Sequence, residues 1–420
     1  MNPSENIILV YADWGTADRP SLMGKLTATP IRGKEIFAFE YAPEWLANHP
    51  MQLDPDLNLY SGRQFLSDQK PNFGLFMDSS PDRWGRLLMR RREAALAKKE
   101  GRKEKTLFES DYLLGVYDVH RMGGLRFKTN AEGPFLNHNP AMAAPPFTSL
   151  RELEQASLVL EKEDSNLEHD YWKWLNLLIA PGSSLGGARP KASVVDTAGN
   201  LWIAKFPSRF DEYNMGAWEM VLHDLAKKSG IEMADAFTEN FSGRHSTFLT
   251  QRFDRKGQNR IHFASAMTLL GYSDGADFHD GASYLELAEF IMRKGSEPEK
   301  DLEELWRRIV FHIFTSNTDD HLRNHGFLLG KKGWRLSPAY DLNPNPNGTG
   351  LKLNISETDN ALDPELALSV SGYFRLSNSN ALEILETVKK ACAQWRSIAQ
   401  KYKISHGEQE EMSKAFSAQI

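Results

Sequence analysis

The chain has 420 residues, of which 41% are hydrophobic, 25% charged and 11% aromatic, the balance of an ordinary globular protein long enough for two or three cores. A formal net charge of -6 excludes a global basic field, so strong direct binding to DNA or to membrane phosphates is not expected. No basic leader precedes an apolar run at the start and no stretch approaches the roughly 18 apolar residues of a membrane span, so a cytoplasmic protein with no membrane partner is expected.

In chain order, Ile7 to Tyr11 reads as a short strand, and Lys25 to Tyr41 as two strands turning near Pro30, Arg32 and Gly33. Pro81-Asp82-Arg83-Trp84-Gly85-Arg86 then leads into a basic helical run from Leu87 to Lys99. Leu113 to Phe127 reads as glycine-punctuated strands. Between Thr129 and Phe147 the composition turns to Asn, Pro, Ala and Gly, which marks a boundary. Ser149 and Glu152 form a capping-box pattern before Leu150, Leu153, Ala156 and Leu160. Strand-like runs follow at Ala192 to Val195, Leu201 to Phe206 and Thr247 to Phe253, with a helix around Met215 to Lys227.

From about Ala282 the pattern is mostly helical. The clearest helix is expected to begin at Ser296, capped with Glu299, and its Leu302, Leu305, Trp306, Ile309, Val310, Ile313 and Phe314 keep to one stripe. Cys392, the single cysteine, excludes internal disulfides and thiolate zinc clusters, and within TVKKACAQW it reads as a packing residue. The expected division is 1–130, a linker at 131–148, then 149–258 and 259–420.

The chemistry concentrates between Asn317 and Pro344. Gly326 to Leu329 and Trp334 to Ser337 read as a hairpin around Gly330-Lys331-Lys332-Gly333. A hairpin brings its open ends together, so Asn324 before it and Asp341 after it should meet beside Asp319. Phosphoryl transfer needs a carboxylate to receive the proton of the attacking hydroxyl, with an amide oxygen and a second carboxylate to hold magnesium against nucleotide phosphates. Protein kinases separate the base and the metal-binding Asn by four residues, as Asp319 and Asn324 are separated; Asp320 as base would shorten the gap by one, and Asp319 is preferred. A kinase also needs a strand lysine for the phosphates and a helical carboxylate to position it. Lys205, in the apolar run Leu201 to Pro207, and Glu219 fit those parts. Ser183-Ser184-Leu185-Gly186-Gly187-Ala188-Arg189-Pro190-Lys191 has the small residues of a turn that lets backbone N–H groups approach phosphate.

Taken as a set, Ser184 to Lys191, Ile203 to Pro207, Arg252-Phe253-Asp254-Arg255, Thr318 to Asn324 and Pro338 to Asp341 resemble the HipA family of serine/threonine kinases, the toxin halves of bacterial toxin–antitoxin pairs. The motifs run in the family's order, and Pro81 to Arg86 and Leu113 to Phe127 look like its N-terminal subdomain. The resemblance implies an α+β, protein-kinase-like two-lobed fold: a β-rich N-terminal subdomain and a nucleotide-binding sheet, then a mainly helical C-terminal lobe. It also implies ATP and Mg2+ as cofactors, Asp319 as base, Asn324 and Asp341 as metal ligands, and Lys205 as the phosphate lysine. Gln251 and Phe253 would offer backbone groups to adenine, while Leu185, Gly186, Gly187 and Ala188 would cover the phosphates. Ser184, with Ser183 as the alternative, matches a serine whose autophosphorylation silences family members. His321 matches a family position and could brace the loop. Arg323 stands where the family more often has lysine. The implied partners are a protein substrate, among which the family counts aminoacyl-tRNA synthetases, and a small helix-turn-helix antitoxin that would make any DNA association indirect.

Three other readings stand beside this one. A metal-dependent hydrolase would use Asp319, His321, His325 and Asp341, the two histidines having the i, i+4 spacing of helical zinc ligands. A small-molecule kinase would need similar groups. A non-catalytic kinase-fold scaffold would have no need of Lys205, Asp319, Asn324 and Asp341 together.

Overall fold

The structure, a computed structural model, describes residues 5–14, 19–67, 70–161, 175, 178, 189–241, 243 and 245–419. The chain forms two compact units, one of Met1–Arg209 with Asp254–Ala264 and one of Phe210–Phe253 with Ser265–Ile420.

In the first unit a five-stranded antiparallel sheet has the order Gln64–Phe65, Lys34–Tyr41, Ser21–Ile31, Asn6–Ala12, Leu125–Lys128. Ile8, Val10, Leu26, Ala28, Phe37 and Phe39 are buried on one face, the period of two expected where one side of a sheet is covered. Its first hairpin turns on Arg32 and Gly33, both at positive φ (48° and 85°), the geometry that matches the twist of the flanking strands.

The segment 113–127 departs from the strands expected of it. Glu109–Gly115 is helical, Asp118–His120 is a 3-10 turn, and only Leu125–Lys128 joins the sheet. Asp111 takes the Phe108 N–H at 3.0 Å, and Glu109 holds Arg86 through bonds of 2.6 and 2.7 Å. A helix start is therefore fixed before the apolar run begins.

The basic run forms one helix, Arg83–Glu100, capped by Asp82 on the Gly85 N–H and closed by Gly101 at φ 64°. Its first turn is fastened to the strand Lys191–Val195. The Asp82 carboxylate lies 2.8 Å from Lys191 Nζ, both side chains being buried, and Trp84 Nε1 donates to the Lys191 carbonyl at 3.1 Å. That strand pairs with Leu201–Lys205, Lys191 opposite Lys205. Ser149 does not cap Leu150–Leu160 through its side chain. A 3-10 turn, Phe147–Ser149, already holds it at φ -90° and ψ -2°, away from the extended conformation that capping requires.

The second unit is mainly helical. Met215–Lys228, capped by Asn214, precedes the antiparallel pair Ala236–Glu239 and Thr247–Gln251. At the centre lies Pro298–Thr315, whose expected stripe is 1% exposed or less at every position, with Asn378–Cys392 packed against it. This helix starts later than expected: Glu297 holds the N-cap position without a side-chain cap bond and Pro298 fills the first turn. Ser296 is taken by the hairpin instead, its N–H and hydroxyl both directed at the Trp334 carbonyl (2.8 and 3.3 Å), and Glu299 pairs with Arg375.

The hairpin itself is Gly326–Gly330 and Gly333–Leu336, turning on Lys331 and Lys332. Asp301 straps it to the central helix through three contacts of 3.0–3.1 Å with the Arg335 guanidinium and one of 3.1 Å with the Leu336 N–H. No helix among the described residues is long and apolar enough to cross a membrane.

Candidate active site

The central helix ends at Ser316 in the left-handed conformation (φ 44°), and the three residues Ser316, Asn317 and Thr318 are stitched to the stretch just past Asp341. Asn317 Oδ1 accepts the Asn343 N–H at 3.0 Å, Thr318 Oγ1 accepts from Asn345 Nδ2 at 2.8 Å, and the Ser316 carbonyl accepts the Asn345 N–H at 3.1 Å. Asn317 is held from behind by His312, whose Nδ1 is 2.6 Å from its Nδ2. These bonds bring the segment just before Asp319 and the segment just after Asp341 together.

Asp319 and Asp320 face opposite ways. The Asp319 side chain is 71% exposed, while Asp320 is fully buried. Tyr284 Oη donates to Asp320 Oδ2 at 2.5 Å and the Lys352 N–H to Oδ1 at 2.7 Å. Burial pushes the Asp320 carboxyl up to about 6, against the downward pull of these hydrogen bonds.

Asn324 ends the 3-10 turn Leu322–Asn324 and is 7% exposed. Its Nδ2 donates to the Asp319 carbonyl at 2.7 Å, which fixes the amide orientation and leaves Oδ1 buried without a hydrogen-bond partner. A buried amide oxygen with nothing to accept from is costly unless something else occupies it, and hard cations take such oxygens. Asp341 stands at φ 59°, a strained setting for a non-glycine residue, with Asn343 Nδ2 at 3.5 Å from its Oδ1. By donor type the two residues suit a magnesium ion, an amide oxygen and a carboxylate both being oxygen ligands of the kind hard cations take. Among the described residues no group of three or more His, Cys, Asp or Glu converges as a metal site.

His321 Nε2 lies 4.0 Å from Asp319 Oδ1, and its Nδ1 is buried without a hydrogen-bond partner. His325 is 1% exposed, with Nε2 3.1 Å from the Asp320 carbonyl, and burial holds its imidazole well below the usual range. Because 322–324 is a 3-10 turn, the two histidines do not share an α-helical face, which removes the ligand geometry of the zinc reading.

Arg323 lies 3.4 Å from Asp274, and its carbonyl accepts from Tyr340 Oη at 2.7 Å. The Tyr340 ring sits 5.7 Å from that of Phe253, so Phe253 lies against the residue preceding Asp341. Gln251 closes its strand with its N–H on the Asp235 carbonyl at 2.8 Å. Lys205 ends the strand Leu201–Lys205 of the first unit and is 8% exposed; Glu219, in the helix Met215–Lys228 of the second, is 6% exposed. Ser183, Ser184, Leu185, Gly186, Gly187 and Ala188 lie outside the described residues. Sequence reasoning gave no role to Asn317, Thr318 and Asn343, although they lie in the segment it singled out, and did not reach Asn345 and Tyr284. The run Asn343-Pro344-Asn345-Pro346-Asn347 was the available signal for two of them, since amides spaced by proline suit a loop held by side-chain bonds.

The HipA-like C-terminal domain family matches residues 183–396. A proposed kinase of Haemophilus influenzae is 28% identical over 181 residues, covering 38% of this chain and 52% of that protein, so the chain spans about half the length of this relative. Among solved structures, HipA of the Shewanella oneidensis MR-1 toxin–antitoxin system, in complex with HipB and operator DNA, is 16% identical with a TM-score of 0.63, covering 98% of this chain and 95% of that one. The Helicobacter pylori proinflammatory kinase CtkA is 15% identical with a TM-score of 0.42, covering 55% and 89%. The similarity to HipA over nearly the whole chain carries the α+β, kinase-like fold expected from the sequence. With more than half of its residues matched by the family model, the chain belongs to the family of proteins with a HipA-like C-terminal domain.

Proposed function

We propose that this protein is an ATP- and magnesium-dependent serine/threonine protein kinase, the toxin component of a HipA-like toxin–antitoxin pair. The observation that carries the reading is the open, buried Oδ1 of Asn324, oriented by Asp319's own carbonyl, beside an exposed Asp319 and the segment bearing Asp341. Asp319 receives the proton of the substrate hydroxyl as the oxygen–phosphorus bond to the γ-phosphoryl group forms and the bond to the ADP oxygen breaks. Asn324 and Asp341 would hold magnesium, which when bound neutralises charge on the phosphate oxygens. In the proposed roles, Lys205 would serve the phosphates with Glu219 positioning it, Gln251 and Phe253 would offer backbone groups to adenine, and Leu185, Gly186, Gly187 and Ala188 would cover the phosphates. Asp320, buried and doubly bonded, is unavailable as the base.

The toxin assignment draws on family membership and on the Shewanella HipA having been solved with HipB and operator DNA. A small helix-turn-helix antitoxin is the proposed partner, with DNA reached only through it, in the cytoplasm. The proposed target is a translation-related protein such as an aminoacyl-tRNA synthetase, and Ser184, or Ser183 beside it, is the proposed site of silencing autophosphorylation, where added negative charge would disrupt a turn meant to hold phosphates.

Intact-mass analysis after incubation with Mg-ATP tests the reading, the starting mass being checked for phosphate already present. A gain of one phosphate is expected, lost in Asp319→Asn and lost or moved in Ser184→Ala. No gain together with no ATP binding by the unmodified protein would overturn it.

A further inference from the structure

The proposed chemistry uses Asp319 and leaves its neighbour Asp320 without a task, yet Asp320 is the more elaborately held of the two. It is fully buried and its three oxygens reach three different parts of the second unit. Oδ2 takes the hydroxyl of Tyr284, the first residue of the helix Tyr284–Lys294; Oδ1 takes the N–H of Lys352, downstream of Asp341; the carbonyl meets Nε2 of His325, just ahead of the hairpin. A carbonyl can only accept, so Nε2 is the protonated nitrogen of that ring.

The groups that grip Asp320 are themselves tied together. The Phe278 N–H donates to the Lys352 carbonyl at 2.8 Å, the Tyr284 N–H to the Asn354 carbonyl at 2.9 Å, and the Asn354 N–H to the Ala282 carbonyl at 2.9 Å. Asn354 Nδ2 adds a bond to the Phe278 carbonyl at 3.1 Å. Tyr284 and the Lys352 N–H thus form one braced clamp. Its grip on Asp320 acts one residue from Asp319, whose own carbonyl orients Asn324 at 2.7 Å.

We infer that Tyr284 is a positioning residue for phosphoryl transfer: through its hydrogen bond to the inward-facing Asp320 it holds the loop so that Asp319 faces outward to the reacting hydroxyl and Asn324 keeps its amide oxygen open. Tyr284 is itself fully buried and cannot touch a substrate, so its influence passes through Asp320. The inference rests on the kinase reading. It assigns to the buried member of the Asp319-Asp320 pair a purpose that the reaction alone does not require.

The test uses the full chain as wild type, Tyr284→Phe, Asp320→Asn and the double variant. Each is checked for folding by thermal denaturation, then read for ATP affinity with a fluorescent ATP analogue and for the single-turnover rate of phosphate gain. Tyr284→Phe should slow phosphate gain by about 10- to 100-fold, the scale of a misplaced catalytic group, with ATP affinity within about threefold of wild type. Within the Asp320→Asn background, removing the Tyr284 hydroxyl should change the rate less than about twofold, because both changes cut one path.

A Tyr284→Phe rate within threefold of wild type, or losses that multiply in the double variant, would overturn the inference. Should Tyr284→Phe fail to fold, hydrogen exchange of the wild type decides: the Lys352 N–H should exchange as slowly as core helix amides, and exchange at the rate of an exposed loop removes the clamp. A wild type that neither binds ATP nor gains phosphate sinks the kinase reading and this role with it. An active wild type with an unaffected Tyr284→Phe sinks this inference alone.

Discussion

The strap between Asp301 and Arg335 gives a prediction whose size can be worked from geometry. Asp301 is 2% exposed and receives three contacts from the guanidinium and one from the Leu336 N–H. Removing one member of a buried ion pair costs about 3–5 kcal/mol, because the other charge is stranded. The Arg335 side chain is 25% exposed and keeps Glu297 as a second partner, which places Asp301→Ala at the lower end, about 3 kcal/mol. In a unit of about 200 residues this lowers Tm by roughly 6–12 °C, and the hairpin amides should lose exchange protection first. Calorimetry on the full chain and hydrogen exchange read the two effects. A Tm within about 2 °C of wild type would show that the strap does not hold the hairpin to the helix. Glu289→Ala, at an exposed pair with Arg293, should shift Tm by no more than about 1 °C.

Burial, helped by the nearby Arg308 charge, holds the His312 imidazole down to about 3. The unfolded chain therefore takes up the proton first as pH falls below about 6.5, and the stability present above that pH is lost on the way to 3, by about 1.4 kcal/mol per pH unit at the steepest. His325, held down in the same way, adds to the total, so His312→Gln should reduce the slope of urea unfolding free energies between pH 4 and 7 by about 1.4 kcal/mol per pH unit without abolishing it; an identical slope in both proteins would refute the assignment. Gly216→Ala should destabilise by about 1–3 kcal/mol, since a Cβ there would stand 2.0 Å from the Ser246 carbonyl oxygen. An unchanged or raised Tm would mean the helix can move away. Asn324→Leu removes both the bond to Asp319 and the open oxygen, so the magnesium concentration needed for phosphate gain should rise at least about tenfold, with metal-free binding of the ATP analogue unchanged. An unaltered magnesium dependence would take Asn324 out of the metal site.

Much of the second unit was legible because its signals are local and periodic. The stripe from Leu302 to Phe314 and the strand–turn–strand at Gly326–Leu336 are short-range patterns, and both elements formed. Helix starts were less legible. Ser296 and Glu299 satisfy the capping pattern, but each found a stronger distant partner, Trp334 and Arg375, whereas Ser283 and Glu286, with the same spacing, do close a capping box. The run 113–127 misled for a related reason: its helix is fixed by Glu109 and Asp111, upstream of the apolar residues that suggested strands. The return of Asp254–Ala264 to the first unit had no composition shift to announce it.

The site itself divides along the same line. Asp319, Asn324 and Asp341 could be nominated as candidates because a hairpin dictates that its ends meet, and that hairpin formed. Which of two adjacent aspartates faces solvent could not be read, because consecutive loop residues have no fixed alternation. The choice is made by bonds from Tyr284, 36 positions upstream, and Lys352, 32 downstream. The same applies to the stitching of Ser316, Asn317 and Thr318 to Asn343 and Asn345, where each amide would be an unremarkable loop residue alone. Non-local polar bonds set orientation while local periodicity sets placement, so spacing could nominate a candidate site and only the fold could show which of its side chains face outward.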